Sequence, residues 1–222
     1  MKTIRLISSI FILLVISCTP NSSFEYSLST DSSEQPDDSF DPNASYNILF
    51  VGNSLTYYNN LPGLVKEEAA TRGIIINTRM LASSNYAIVD HWAEGEVQTL
   101  ISSGIYDFVV IQQGPSSLEF GFNMLVNSGA DYANLCQANN TRLAYYMVWP
   151  ALVYYHTFDN VIANYTAAAE ANNAILCPVG RRWKEHFDQT NDFSYYDPDG
   201  FHPSFEGSRF AAEVIVQSLN LQ

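Results

Sequence analysis

The chain has 222 residues, of which 47% are hydrophobic and 15% are charged, a balance typical of a globular protein with a sizeable apolar core. Acidic residues outnumber basic ones by 23 to 10, which gives a formal net charge of −13. This excess of negative charge argues against nucleic acid or an anionic membrane surface as the binding partner.

The first residues predict an export signal that ends at a lipid anchor. Lys2 and Arg5 accompany the apolar run LISSIFILLVIS, which is shorter than the roughly 20 apolar residues that a membrane-spanning helix needs. The run closes with VISC, which resembles the lipobox of bacterial lipoprotein signals, and this resemblance implies cleavage after Ser17 and lipidation of Cys18. The alternative is an ordinary secretory signal with an incidental cysteine. We therefore predict a signal peptide over residues 1–17 and a lipid-anchored location in a bacterial cell envelope, facing the periplasm or the outside.

The next segment predicts a tether. Residues 19–45 are rich in Ser, Asp, Pro and Asn and show no sustained apolar periodicity, as is typical of flexible, solvated chain. We therefore expect a lipidated cysteine with its tether over residues 18–45 and one domain over residues 46–222. Within this domain, Cys136 and Cys177 can form a disulfide in an exported protein or stay as buried free thiols, and the sequence leaves both open.

The domain alternates short apolar runs with helical patterns. YNILFV predicts the first strand and LPGLVKEEAATRG the first helix, with Pro62 near its start and Gly73 after its end. IIINTRM predicts the second strand, and IVDHWAEGEVQTLISSG predicts a helix that stops at Gly104. The third strand, YDFVVIQQ, precedes the helix GFNMLVNSGADYANLCQANN, and the fourth strand, TRLAYYMVW, precedes the helix TFDNVIANYTAAAEANN. AILCPVG predicts a fifth strand before the short helix RRWKEHF and a long amphipathic last helix, PSFEGSRFAAEVIVQSLN.

This alternation predicts the fold class. Strands that alternate with helices pair in parallel through crossovers, and strands that are apolar throughout are covered on both faces. The sequence therefore predicts an α/β fold, a three-layer α/β/α sandwich around a five-stranded parallel sheet of the flavodoxin-like kind. Ligands of such folds bind beyond the carboxyl ends of the strands, so we expect the functional residues in the segments that follow the strands.

A serine stands directly after the first predicted strand, in ILFVGNSLT. The hydroxyl of Ser54 needs an adjacent base to act as a nucleophile. His202 is the best candidate, because it lies in the loop DPDGFHPS with Asp199 three residues before it, a spacing that allows the carboxylate to bond the imidazole Nδ1. His91 is expected to be a packed or exposed helix residue. Each feature alone is also explained by ordinary turn chemistry.

The two motifs together, VGNSLT near the start and DGFHPS near the end, resemble those of the SGNH (GDSL-type) hydrolases. The resemblance runs from about residue 46 to the C-terminus. It implies a triad in which Ser54 is the nucleophile, His202 the base and Asp199 the partner that orients it. Asn53 stands where many members have aspartate. The implied reaction is hydrolysis of an ester without a metal or another cofactor.

The chain departs from the family pattern at the oxyanion hole. Members usually place a glycine after the second strand and an asparagine after the third, in addition to the N–H of the serine. LASSNYA and IQQGPSS stand at these places, and the resemblance implies donors from the N–H of Ser54, from Ser84 and from the amide of Gln113. Ser117 takes the place of the asparagine with a shorter side chain. A Gly-Pro turn that leaves a strand is the alternative interpretation of IQQGPSS.

Residues in the segments after the strands are also candidates for substrate binding, and we single out Asn53, Tyr57 and Tyr154. The predicted substrate is a small-molecule or glycan ester, and export together with loop aromatics favours O-acetyl groups on glycans. One alternative is a catalytically weak or inactive glycan-binding lipoprotein on the same fold, which the missing asparagine favours. Another is a lipase or thioesterase, which the lack of a lid or long apolar loop disfavours. The sequence leaves the oligomeric state open.

Overall fold

A computed structural model describes residues 40–221 of the chain. The predicted signal peptide, the lipidation site Cys18 and the tether up to residue 39 lie outside the described residues. Across residues 40–221, no helix is both long and apolar enough to cross a membrane. Within the same residues, no group of three or more His, Cys, Asp or Glu side chains is arranged to hold a metal ion.

The described residues form one parallel sheet covered by helices. The strands are β1 (Tyr46–Gly52), β2 (Ile76–Ala82), β3 (Phe108–Ile111), β4 (Arg142–Tyr146) and β5 (Ile175–Cys177). The helices are α1 (Ser54–Tyr57), α2 (Leu61–Thr71), α3 (Ile88–Glu94), α4 (Glu96–Ser102), α5 (Glu119–Ala138), α6 (Phe158–Ala171), α7 (Val179–Thr190) and α8 (Phe205–Leu219), with 3-10 helices at Tyr58–Asn60 and Leu152–Thr157. All strands pair in parallel in the order β2-β1-β3-β4-β5. The predicted α/β class and five-stranded flavodoxin-like sheet are confirmed.

The strand order determines where a site can form. From β1 the chain adds β2 on one side and then β3, β4 and β5 on the other, so right-handed crossovers place helices on opposite faces of the sheet. Accordingly, α2 packs against α8, and α5 packs against α6. Residues 48–51 of β1 are completely buried, as expected for a strand covered on both faces. The crossover direction reverses between β1 and β3, where Val51 pairs with Ile111, and the carboxyl ends of these two strands lie side by side.

Residues that precede β1 are already hydrogen-bonded to the edge strand β2 and the residue before it. The backbone N–H of Asp41 donates to Asn77 Oδ1 at 2.8 Å, and that of Ser45 donates to the carbonyl of Ile75 at 2.8 Å. The hydrogen-bonded domain therefore begins slightly earlier than the predicted boundary at residue 46.

Local backbone chemistry changes two of the predicted elements. The segment predicted as one helix up to Gly104 is divided into α3 and α4, because Gly95 between them has a φ of 84°, in the left-handed region that favours glycine. The segment after β4, predicted as a loop, contains the 3-10 helix Leu152–Thr157. The short helix α1 was also not predicted.

Cys136 and Cys177 are both buried free thiols. Burial raises the pKa of each thiol to about 12, so neither is a reactive thiolate near neutral pH. We expect iodoacetamide at pH 8 to leave both residues unmodified in the folded protein and to alkylate both after denaturation, as measured by peptide mass mapping. A disulfide-linked peptide pair, or alkylation of either thiol before unfolding, would contradict this assignment.

Candidate active site

Ser54 is the first residue of α1, immediately beyond the end of β1. Asn53 caps this helix: its Oδ1 accepts the N–H of Leu55 at 3.1 Å, and its carbonyl accepts that of Thr56 at 2.8 Å. The backbone N–H of Ser54 has no acceptor among residues 40–221, as is usual for the first turn of a helix. Ser54 is 8% exposed. A short cap therefore holds its hydroxyl at the end of a rigid strand, with a backbone donor beside it.

Gln112, the residue after β3, fixes the turn between β1 and α1. Its Oε1 accepts the backbone N–H of Asn53 at 3.0 Å and the hydroxyl of Thr56 at 2.7 Å. Its Nε2 donates to Asn53 Oδ1 at 3.1 Å and to the carbonyl of Gln113 at 2.6 Å. The side chain is buried and satisfied at both ends, so these hydrogen bonds are strong in a low dielectric. Gln112 is not among the predicted site residues, although a glutamine at the end of an apolar buried strand is a usable signal.

Gly52 makes this arrangement possible because it has no side chain. A Cβ at this position would collide with Gln112 Oε1 and with the hydroxyl of Thr56. The carbonyl of Gly52 accepts the N–H of Ser83 at 3.2 Å and a hydrogen bond from His91 Nε2 at 2.7 Å. His91 is completely buried and packs beneath the end of β1. Of the two placements expected for it, packed or exposed, the structure shows the packed one. Glycine is thus required at position 52 because the side chains of Gln112 and Thr56 lie so close to its Cα.

The Asp199–His202 pair lies in the loop before α8. His202 Nδ1 is 2.6 Å from Asp199 Oδ2, while Oδ1 accepts the backbone N–H groups of Phe201 at 2.8 Å and His202 at 2.9 Å. Nδ1 therefore carries the proton, and the lone pair of Nε2 can accept another. The geometry is that of a base held by its carboxylate partner.

The same hydrogen bonds keep Asp199 ionised. Burial by itself raises the pKa of this carboxyl, but the bonds from His202 Nδ1 and from the two backbone N–H groups outweigh it and hold the pKa below its usual value. Because folding lowers this pKa, the ionised carboxylate stabilises the fold above the unfolded-state pKa of about 4. This contribution is lost as the pH falls through the lower pKa of the folded state.

The residues that follow Ser54 contact the His202 loop directly. The ring of Tyr58 stacks on the His202 imidazole, with ring centroids 4.5 Å apart and an interplanar angle of 17°. Asn59 Nδ2 donates to the carbonyl of Pro203 at 3.0 Å. Within residues 40–221, the hydroxyl of Ser54 has no hydrogen-bond partner, and catalytic hydrogen bonds often form only when substrate is bound. The structure thus brings the segment that follows the first motif against the loop that carries the second.

Solved structures share this architecture. A protein from Slackia heliotrinireducens assigned to the SGNH hydrolases matches with a TM-score of 0.69 and 24% identity, over 80% of this chain and 100% of its own. The fold is that of the SGNH hydrolases. A catalytic mutant of an acetylxylan esterase from Geobacillus stearothermophilus matches with a TM-score of 0.62 and 14% identity, over 81% and 96% of the two chains. A DUF4886 family protein from Bacteroides uniformis matches with a TM-score of 0.65 and 13% identity, over 79% and 83%. No protein-family model and no curated protein matches the chain.

One predicted donor of an SGNH-type oxyanion hole lies in the turn after β2. The N–H of Ser83 is bonded to Gly52 at the end of β1, and Asn85 has a φ of 61°, which turns the chain sharply. Ser84, between them, is exposed. Its backbone N–H has no acceptor in the part of the chain that the structure describes. The backbone N–H of Ser84 is therefore available as a donor, as is that of Ser54.

Gln113 is not placed to serve as the third donor. It is 2% exposed, and its Nε2 donates to Ser116 Oγ at 2.8 Å and to the carbonyl of Gly121 at 3.2 Å. Both amide protons are thus engaged inside the segment between β3 and α5, which corrects the prediction that Gln113 donates to an oxyanion. Ser117, which stands at the asparagine position of the family, lines a cavity in this same segment.

The three predicted substrate-binding residues have different placements. Asn53 is 7% exposed and uses its side chain to hold the turn, with Nδ2 donating to the carbonyl of Tyr86 at 2.9 Å. Because its side chain is used to hold the turn, the prediction that Asn53 contacts the substrate is wrong. Tyr57 is half-buried at the end of α1. Tyr154 is 58% exposed and lines the same cavity as Phe201, so its ring is accessible to a ligand.

Proposed function

We propose that the protein is a serine esterase that hydrolyses an ester through an acyl-enzyme on Ser54. The observation that carries this proposal is the 2.6 Å contact between His202 Nδ1 and Asp199 Oδ2, in a loop that contacts the segment following Ser54 through Tyr58. The SGNH fold supports it, because the similar structures include an acetylxylan esterase. A hydrolytic reaction is the chemistry that these three side chains perform together.

In the proposed reaction, Ser54 Oγ attacks the ester carbonyl carbon as His202 Nε2 takes its proton. Asp199 holds Nδ1 in its protonated form and stabilises the imidazolium. The N–H groups of Ser54 and Ser84 bind the oxyanion of the tetrahedral intermediate, and each such donor contributes about 3 kcal/mol. His202 then protonates the leaving alcohol. Water, deprotonated by His202, then attacks the acyl-enzyme, and the imidazolium returns the proton to Ser54 Oγ as the acid is released.

Fluorophosphonate labelling tests this proposal directly. We expect the folded protein to take up one equivalent of the probe on Ser54, because a fluorophosphonate reacts with an activated serine. Ser54→Ala should not be labelled, and its hydrolysis of short-chain p-nitrophenyl esters should fall by about 10⁴-fold or more. The matched control is Ser102→Ala at the exposed end of α4, which should label and turn over like the unmodified protein.

A glycan-binding protein without catalytic activity is the second candidate. Both amide protons of Gln113 are engaged elsewhere, so the oxyanion hole keeps only two of its three predicted donors, Ser54 and Ser84. This loss favours the binding protein. A folded protein that neither labels at Ser54 nor hydrolyses esters would overturn the first candidate and leave this one standing. O-acetylated glycans as substrates, and anchoring to the cell envelope through Cys18, stay predictions.

A further inference from the structure

A cavity of about 670 Å³ opens between the segment that follows β3 and the one that follows β4. Its walls are mainly apolar and include Pro115, Leu118, Phe120, Pro150, Ala151 and Phe201. Phe201 immediately precedes His202, and the centroids of their rings lie 5.1 Å apart. The cavity therefore shares one wall residue with the surroundings of the proposed base, although Ser54 and His202 do not themselves line it. Its volume lies within the range of about 300–1,000 Å³ that is typical of small-molecule sites.

The polar side chains that line this cavity are those of Ser116, Ser117, Tyr154 and Thr157, and the hydroxyls of two of them are engaged within the chain. Ser116 Oγ accepts from Gln113 and donates to the carbonyl of Gly114 at 2.9 Å, and Thr157 Oγ1 donates to the carbonyl of Tyr154 at 2.8 Å. No charged side chain lines the cavity. A sugar ring bound here would find only the hydroxyls of Ser117 and Tyr154 as side-chain partners that are not already engaged, so most of its own hydroxyl groups would lack a side-chain partner, which is costly for buried polar groups. An aliphatic chain carries no hydroxyl groups, so its binding here would not incur this cost.

The rim of the cavity is also apolar. Leu118 is 73% exposed, Phe120 is 77% exposed and Tyr154 is 58% exposed, and all three line the cavity. Single exposed apolar residues are common, but a group around one opening indicates a surface that binds apolar ligands.

We propose that this cavity binds the acyl chain of the substrate, so that the preferred esters carry an aliphatic acyl group of about six to ten carbons, a size suited to a site of this volume. This inference rests on the proposed function and changes its substrate from an acetyl ester to a medium-chain ester. The acyl chain stays attached to Ser54 through acylation and deacylation, whereas the alcohol leaves after the first step. Contacts between the chain and the cavity can therefore stabilise the transition states of both steps.

The test is a series of p-nitrophenyl esters from acetate to dodecanoate, hydrolysed by the full chain below the micellar concentration of each ester. We expect kcat/KM for octanoate to exceed that for acetate by at least about tenfold, because each added methylene gains contact with apolar walls. Gly114→Leu should remove this preference while retaining hydrolysis of acetate. Gly114 lines the cavity, and a Cβ at this position meets no atom within 4 Å, so the new side chain can occupy cavity space without displacing the backbone.

A second pair of variants keeps the test informative if Gly114→Leu fails to fold. Phe120→Ala removes an apolar rim residue and should lower the ratio of octanoate to acetate kcat/KM by about threefold. Its matched control is Ile105→Ala, which truncates another exposed residue, 47% exposed, at the opposite, amino end of β3. The control should leave the ratio unchanged.

Three outcomes would overturn the inference while leaving the proposed function intact. They are hydrolysis that depends on Ser54 but proceeds as well with acetate as with octanoate, a preference that neither Gly114→Leu nor Phe120→Ala changes, and a preference that follows the alcohol chain in a series of acetate esters. Loss of all activity dependent on Ser54, together with absent labelling by a small methyl fluorophosphonate, would instead overturn the proposed function itself.

Discussion

Replacing His202 by alanine should lower kcat/KM for ester hydrolysis by about 10⁴-fold or more. Without the imidazole, nothing takes the proton from Ser54, and nothing returns one to the leaving alcohol. The Asp199 carboxylate would also lose the partner that it holds at 2.6 Å. Initial rates with p-nitrophenyl esters, and the second-order rate constant of fluorophosphonate labelling, measure the loss on protein shown by circular dichroism to be folded.

Two controls show whether the loss reflects the proposed triad. His156→Ala removes an exposed histidine from the 3-10 helix after β4 and should leave labelling unchanged. The kcat/KM of the double variant Ser54→Ala/His202→Ala should lie within about threefold of that of each single variant, because residues that act as a unit give non-additive losses. Independent, additive losses would mean that Ser54 and His202 do not act in one reaction.

The second large effect is expected at Gln112. Gln112→Met keeps the size of the side chain but leaves the N–H of Asn53 and the hydroxyl of Thr56 without their buried acceptor. We expect the free energy of unfolding to fall by about 2–4 kcal/mol, since each buried unsatisfied group costs about 1–3 kcal/mol. The labelling rate constant of Ser54 should fall by about tenfold or more, because the turn that positions Ser54 is no longer fixed. Urea unfolding and labelling of the folded protein measure the two effects separately.

Gln113→Met is the matched control, since the two glutamines are adjacent, buried and of the same type. It should also lower the free energy of unfolding, because Gln113 braces the segment between β3 and α5. Labelling of Ser54 in the folded variant should stay within about threefold of the unmodified rate, far from the loss expected for a missing oxyanion donor. A larger loss in Gln113→Met than in Gln112→Met would restore Gln113 as that donor.

The sheet was predictable because each of its strands is a short apolar run between helical patterns. β1 was expected over residues 46–51 and is observed at Tyr46–Gly52, and the parallel order follows from crossovers that require a helix between strands. The break at Gly95 was less predictable, because the apolar periodicity continues across the glycine and only its φ of 84° ends α3.

At the site, contacts between near neighbours were predictable and contacts across the sheet were not. Asp199 and His202 are three residues apart in one loop, so their spacing alone suggested the hydrogen bond that the structure contains. Gln112 and Asn53 meet only because β1 and β3 pair in a particular register. Successive side chains of a strand point to opposite faces, so the choice between Gln112 and Gln113 needed that register. The apolar cavity likewise combines segments from different parts of the chain. No single segment contains a long apolar loop, which is why the sequence disfavours a lipase or thioesterase.

The groups that hold Ser54 and the groups that surround the cavity belong to different parts of the architecture. Gly52, Asn53 and Gln112 lie where β1 and β3 end, inside the buried sheet, whereas Leu118 and Phe120 lie on an exposed segment. Substitutions in exposed segments are tolerated far more readily than those in the core. The proposed chain-length preference can therefore diverge among descendants of this protein, or be redesigned in the laboratory, by changes at the rim while the proposed triad is inherited intact.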